Sequence, residues 1–185
     1  MSNIEFHGTT ICAVKKSGVT AIAGDGQVTM GESVVFKSTA VKVRRIYNGK
    51  VITGFAGTVS DAFSLCERLE AMLNKYAGNL ERSAVELAEQ WRRDQVGRKL
   101  EAMLICADEH SLLILSGTGE VMTPDGGVCA IGSGGNYALA AARALYDETD
   151  YTADEIATKA LKIASKICVY TNDNIRCETV GGEKK

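Results

Sequence analysis

The chain has 185 residues, a formal net charge of −2, 45% hydrophobic and 24% charged residues. That length and balance fit one soluble globular domain with a sizeable core, and exclude a disordered chain or a strongly basic nucleic-acid binder. No apolar run approaches the roughly 18 residues needed to span a bilayer, and the opening stretch MSNIEFHG has no basic or apolar signal-peptide region.

After that leader the first third reads as strands. TTICAVKK (9–16) passes through Ser17-Gly18 into VTAIAGD (19–25), a hairpin pattern. SVVF (33–36), KVRRIYN (42–48) and KVITGFAG (50–57) follow, and Asn48-Gly49 is a hairpin turn signal because both residues tolerate positive φ. The period then changes. Ala62, Leu65, Cys66, Leu69, Met72, Leu73 and Tyr76 recur at helical spacing, with Ser60 as the expected N-cap and AGN (77–79) as the break. A second helix carries Ala84, Leu87, Ala88 and Trp91 on one stripe and ends in the polar RRDQVGRK.

Strands return at 102–108, 111–117, 120–123 and 128–133, with the single proline, Pro124, in the turn TPDGG. Gly134-Gly135 opens a third helix, expected to face inward through Tyr137, Ala141, Ala144 and Leu145. A fourth begins at Thr152 with Glu155 three residues on, a capping box, and an expected apolar stripe of Ile156, Ala160, Ile163, Ala164 and Ile167. A last strand lies around NIRCETV. Hairpin-linked strands favour antiparallel sheets, and two helix pairs need apolar faces to cover. The fold expected is α+β, a four-layer α/β/β/α sandwich of two antiparallel sheets.

The cysteines at 12, 66, 106, 129, 168 and 177 are scattered, with no C-x-x-C pair, and the only histidines are His7 and His110. A structural zinc site is not indicated, and free buried thiols are the simpler reading.

Four stretches could carry chemistry. Gly8-Thr9-Thr10 could be an ordinary strand start. It could also be a cleavage point that frees Thr9, whose hydroxyl is then the nucleophile and whose amine, with a pKa of about 8, is the base. AGDGQVT (23–29) could be a turn, or could supply Asp25 to keep a lysine charged. Lys42 could be a solvated basic residue, or could lower the pKa of a neighbouring Thr9 amine. AIGSGGNYA (130–138) lacks phosphate-binding signatures, and Ser133 there could instead relay protons to Thr9. The turn in GFAGTVSD places Gly57 where its N–H could face an oxyanion.

In order, GTTI, AGDGQVT, KVRR, GFAGTVSDAF, RKLEAML, AIGSGGNYALAAARAL and ICVYTN resemble the bacterial HslV (ClpQ) peptidase family, relatives of proteasome β subunits, over nearly all the chain from Thr9 to about Asn174. The resemblance implies an N-terminal-nucleophile hydrolase, with residues 1–8 a short propeptide and 9–185 a single peptidase domain. It implies Thr9 as nucleophile, Asp25, Lys42 and Ser133 as supporting polar residues, and Gly57 at the oxyanion turn. It also implies a cytoplasmic homo-dodecamer of two stacked hexameric rings, served by the AAA+ unfoldase HslU (ClpY), with unfolded proteins as substrates and no nucleotide on this subunit. Finally it implies a sodium ion held by main-chain oxygens of Ser165, Cys168 and Thr171. Relatives commonly carry only a methionine before the nucleophile, so the eight-residue leader here calls for a cleavage at Gly8–Thr9, one the chain itself could make. Two other readings are a non-catalytic ring subunit that never frees Thr9, and an amidohydrolase of the same fold acting on small amides.

Overall fold

The computed structural model describes residues 6–31, 33–94 and 102–182. Residues 1–5, Glu32, residues 95–101 with most of the polar run RRDQVGRK, and residues 183–185 lie outside the described residues.

Strands β2 (Thr10–Lys16) and β3 (Val19–Gly24) form the first hairpin. Ser17 and Gly18 both take positive φ, 53° and 76°, so the two-residue turn has the twist that closely paired strands need. With β11 (Val128–Gly132) and β12 (Arg176–Gly181) they make a four-stranded antiparallel sheet in the order β11-β2-β3-β12. Strands β6 (Val43–Ile46), β7 (Val51–Ala56), β8 (Met103–Ala107), β9 (Leu112–Leu115) and β10 (Val121–Met122) make the second sheet, five-stranded and antiparallel. The Asn48-Gly49 signal lies in a turn where Tyr47, Asn48 and Gly49 all have positive φ.

Alternating side chains of β2 sort the layers. Ile11 and Ala13 join Ile22, Val43, Ile52, Ile105 and Ile131 in the core between the sheets. Cys12 and Val14 face the other way, into a core with helices α3 (Gly135–Glu148) and α4 (Ala153–Ser165). Helices α1 (Val59–Lys75) and α2 (Leu80–Asp94) cover the five-stranded sheet through Leu65, Leu69, Leu73, Leu87 and Trp91. The result is the expected α/β/β/α sandwich.

Local chemistry sets the helix ends. The α1 N-cap is Thr58, whose hydroxyl accepts from Asp61 N, so the expected cap Ser60 falls inside the first turn of the helix. Ala77 in the left-handed region and the Gly78 N–H to Leu73 O bond close α1 as a Schellman turn. The Thr152–Glu155 capping box opens α4 as expected.

Three further expectations are corrected. Tyr137 and Ala144 of α3 are exposed, and the buried positions are Gly135, Ala138 and Ala142, because the helix phase turns this line, spaced three and four apart, toward the sheet. Ile163 and Ile167 of the α4 stripe point outward, and Ala157 and Leu161 take the buried places beside Ile156, Ala160 and Ala164. SVVF belongs to neither main sheet. Strand β5 (Val34–Lys37) pairs with β4 (Val28–Met30), and β4 pairs with β1 (Phe6–His7), a short leader strand that no hydrophobic pattern announces.

Candidate active site

The leader strand β1 runs antiparallel to β4, with Phe6 opposite Met30 and His7 opposite Thr29, and leads directly into Gly8. Gly8 has φ +105°, and a Cβ there would lie 3.2–3.3 Å from Tyr170 O, Gln27 O and Thr29 Oγ1. Backbone angle and space both call for glycine at this position.

The Gly8 carbonyl oxygen is the meeting point. Thr9 Oγ1 donates to it at 2.7 Å, and Lys42 Nζ donates to it at 2.8 Å. Lys42 Nζ also donates to Asp25 Oδ1 at 2.8 Å and to Gln27 O. The pair is dry, with Lys42 and Asp25 side chains 7% and 0% exposed. Two further features make such a pair tolerable. Asp25 Oδ1 also accepts from Thr10 N at 2.8 Å, and Oδ2 accepts from Gln27 N at 2.9 Å and Asn172 N at 3.3 Å, so the carboxylate is saturated with donors. Lys42 keeps carbonyl acceptors for its other protons. Burial pulls the Lys42 pKa below the ordinary lysine value, and the Asp25 charge and hydrogen bond work against that pull.

The third side of the site is the β11–α3 junction. Ser133 N donates to Thr9 O at 2.9 Å, so the link between these residues is main-chain, and the Thr9 nitrogen is a peptide amide while Gly8 is attached. A Cβ on Gly132 would sit 1.8 Å from Thr9 O, which requires glycine there. The same position would lie 3.4 Å from Ala56 Cβ, so Gly57 follows directly on a residue that borders this junction. Gly57 is exposed, with φ +146°, and a side chain there would strike the Phe55 ring at 2.9 Å. The structure thus brings Lys42 onto Asp25 and joins Lys42 Nζ to Thr9 Oγ1 through one carbonyl oxygen, with Ser133 bonded to Thr9 through the main chain and Gly57 next to Ala56 at the same junction.

Residues the sequence reading passed over hold this arrangement. Thr10, fully buried, accepts from Gly134 N at 2.9 Å and shares a hydrogen with Thr171 Oγ1 at 2.7 Å. Gln27 donates through Nε2 to Thr29 Oγ1 and Val169 O. Asn172 reaches Asp25 and Gly26. The only sequence signal for these was polarity in places where a strand or turn explained it equally well.

Ser165 is the last residue of α4, and Cys168 and Thr171 lie in the turns that follow it. Carbonyls at a helix C-terminus lack intrahelical donors. Ala164 O is taken by the N–H groups of Ile167 and Cys168, and Cys168 O accepts from Thr171 N at 3.1 Å, whereas Ser165 O receives no backbone donor among the described residues. The stretch SKICVYT contains no carboxylate, so its donor set is neutral oxygen, suited to a hard, singly charged cation. Among the described residues no group of three or more His, Cys, Asp or Glu side chains could hold a metal ion. The cysteines are all free, and burial pushes the thiols of Cys12, Cys66, Cys106, Cys129 and Cys177 up, Cys129 to about 12 and Cys177 to about 11, so these five are packing residues rather than nucleophiles. The basic run at 42–45 is likewise spent internally, with Lys42 in the site and Arg45 bonded to Glu178 of β12.

The chain is similar to known proteins along nearly its whole length. The family model described as "Proteasome subunit" matches residues 5–180. The ATP-dependent protease subunit HslV of Listeria innocua is 63% identical over 177 residues, covering 95% of this chain and 99% of the relative. That of Enterococcus faecalis is 61% identical over 180 residues, covering 96% and 99%. Among solved structures, eukaryotic HslV from Trypanosoma brucei superposes with a TM-score of 0.87 at 46% identity, covering 94% of this chain and 99% of that one. Among the described residues no helix is long and apolar enough to cross a membrane. The chain belongs to the proteasome-subunit family, and within it to the HslV type.

Proposed function

We propose that this chain is the proteolytic subunit of an ATP-dependent protease, a threonine peptidase whose nucleophile is Thr9. The observation that carries the reading is the convergence of Thr9 Oγ1 and Lys42 Nζ on one carbonyl oxygen, that of Gly8, with Asp25 as the buried counter-ion. That is the arrangement needed to open the Gly8–Thr9 bond. Lys42 polarises the carbonyl, and Thr9 Oγ1 adds to its carbon. The C–N bond breaks, the hydroxyl proton passes to the departing nitrogen, and the leader is held as an ester. Water cleaves that ester and leaves Thr9 with a free amine. The same groups then act on a substrate peptide. Thr9 Oγ1 attacks, the Thr9 amine takes the proton and returns it to the leaving amine, and water releases the acyl-enzyme. A charged Lys42 beside the amine favours its neutral, basic form. Ser133 relays protons at the amine, and the Gly57 N–H meets the oxyanion.

Residues 1–8 act as a propeptide and 9–185 as one peptidase domain. A sodium ion would be held by the main-chain oxygens of Ser165, Cys168 and Thr171, and when bound it supplies positive charge that fixes the turn under Thr10 and Asp25. The working assembly is a cytoplasmic homo-dodecamer of two stacked hexameric rings. The unfoldase HslU (ClpY) unfolds proteins with ATP and feeds them to the chamber. The exposed apolar side chains of Tyr137, Ile163, Ile167 and Val169 support burial of the α3–α4 face in such an assembly.

Intact mass and peptide turnover test the reading together. The parent chain is expected to lose residues 1–8 and to cleave peptides. Thr9→Ala is expected to keep the leader and to lose turnover by about 10³-fold or more while still assembling. Retained turnover in Thr9→Ala would remove the mechanism.

A further inference from the structure

The Asp25–Lys42 pair is built from two segments with no sequence proximity. Asp25 follows β3, and Lys42 closes the connection from β5 to β6. The two run as close as backbone allows, since a Cβ on Gly26 would sit 2.4 Å from Ser38 O, and Ala40 N donates to Gly26 O at 2.9 Å. One side chain from a third segment, the loop between α4 and β12, reaches both. Asn172 Oδ1 accepts from Gly26 N at 3.0 Å, and Asn172 Nδ2 donates to Ser38 O at 2.9 Å. The amide orientation is fixed by its partners. Oδ1 also faces a donor, Asn174 N, at 3.2 Å, and a flipped amide would set an NH₂ against two N–H groups and an oxygen against an oxygen. The backbone N–H of the same residue donates to Asp25 Oδ2 at 3.3 Å.

We propose that Asn172 is a positioning residue for the peptidase reaction: its side-chain amide clamps the Asp25 turn to the Ser38–Lys42 segment and so sets the placement of Lys42 at the reacting carbonyl. The proposal rests on the threonine-peptidase reading above. Asparagine suits the task because a single short side chain carries both a donor and an acceptor. Among the described residues none of the Asn172 hydrogen bonds goes to Gly8, Thr9, Ser133 or Gly57, so its effect passes through the pair rather than through substrate contact.

The test compares Asn172→Leu and Asn172→Asp, both close to asparagine in size, in the full chain. Mature mass, ring assembly and the steady-state kinetics of a fluorogenic peptide are measured. Asn172→Leu removes both bonds and is expected to lower kcat about 10-fold or more with KM within twofold, the pattern of a misplaced catalytic group. Asn172→Asp keeps the acceptor for Gly26 N but loses the donor to Ser38 O and sets a carboxylate oxygen against that carbonyl, so the clamp stays open and kcat is expected to fall in this variant too, again with KM within twofold. A space-filling role predicts parent kcat in both variants, since both keep the size of the side chain, and that result would overturn the proposal, as would a change in KM alone. If Asn172→Leu does not mature or assemble, Asn172→Ala serves the same comparison. Parent turnover that persists in Thr9→Ala overturns the peptidase reading and the clamp together. Thr9-dependent turnover indifferent to both Asn172 variants overturns only the clamp.

Discussion

The two helix layers are built on different scales. On the five-stranded sheet, α1 and α2 pack through Leu65, Leu69, Leu73, Leu87 and Trp91, side chains long enough to hold the helices away from the strands. On the four-stranded sheet, α3 and α4 pack largely through Ala138, Ala142, Ala153, Ala157, Ala160 and Ala164, all buried. Methyl groups let helix backbones approach the strands closely. The site belongs to the close layer. The loop leaving α4 carries Thr171 and Asn172 to Thr10 and Asp25, and the Gly134 N–H that precedes α3 is bonded to Thr10. The leucine layer gives the sandwich bulk, while the alanine layer sets the distances on which the polar cluster depends.

The hardest test of that division is the pair itself. Asp25→Asn leaves the Lys42 charge buried without a partner, which costs about 3–5 kcal/mol of stability. The pH dependence has a definite sign. Burial lowers the Lys42 pKa and Asp25 raises it, so removing the Asp25 charge lowers it further. The alkaline limb of kcat/KM, where Lys42 loses its proton, is therefore expected to move to lower pH in Asp25→Asn. An unmoved limb would mean that the charge of Lys42 does not matter to the reaction. On the other side of the molecule, Leu69→Ala empties space in the α1 layer and is expected to cost about 2–5 kcal/mol by denaturant unfolding. The kcat of the assembled enzyme should stay at the parent value, because Leu69 lies in a core that contains none of the site residues. A large fall in kcat would show that the two layers are coupled.

How much of this was legible in the sequence follows the same line. Large side chains announce themselves by period, so the leucine layer was read almost residue by residue. Alanines do not. Placing Tyr137, Ile163 and Ile167 inward failed because alanines take most of the inward places on these two helices, with Ile156 and Leu161 the larger side chains buried on α4. The leader strand was missed for a related reason, since two residues carry no period and their pairing to β4 is set by the tertiary frame. Thr9, Asp25 and Lys42 were legible because their chemistry is explicit and their motifs are ordered. Asn172 and Thr10 were not, because a polar residue in a turn and a threonine in a strand each have a sufficient local explanation. Only the fold shows that the two lie around the same carboxylate.

The alanine layer offers the finest test. Ala160 is fully buried on α4, in the core shared with β2 and β3. Ala160→Leu adds three carbons where the backbone is already close, and overpacking of that kind costs about 1–3 kcal/mol. The strain has two ways out. If the helix moves off the sheet, the α4–β12 loop moves with it, Thr171 and Asn172 withdraw from Thr10 and Asp25, and kcat falls even in chains that remain folded and assembled. If the new side chain is absorbed locally, stability drops and kcat does not. The first outcome is expected, because alanine fills every buried α4 position except Ile156 and Leu161, leaving few neighbours able to yield. Measured on the assembled enzyme beside Leu69→Ala, a smaller loss of stability with a larger loss of kcat would separate the layer that sets the site from the layer that supports it.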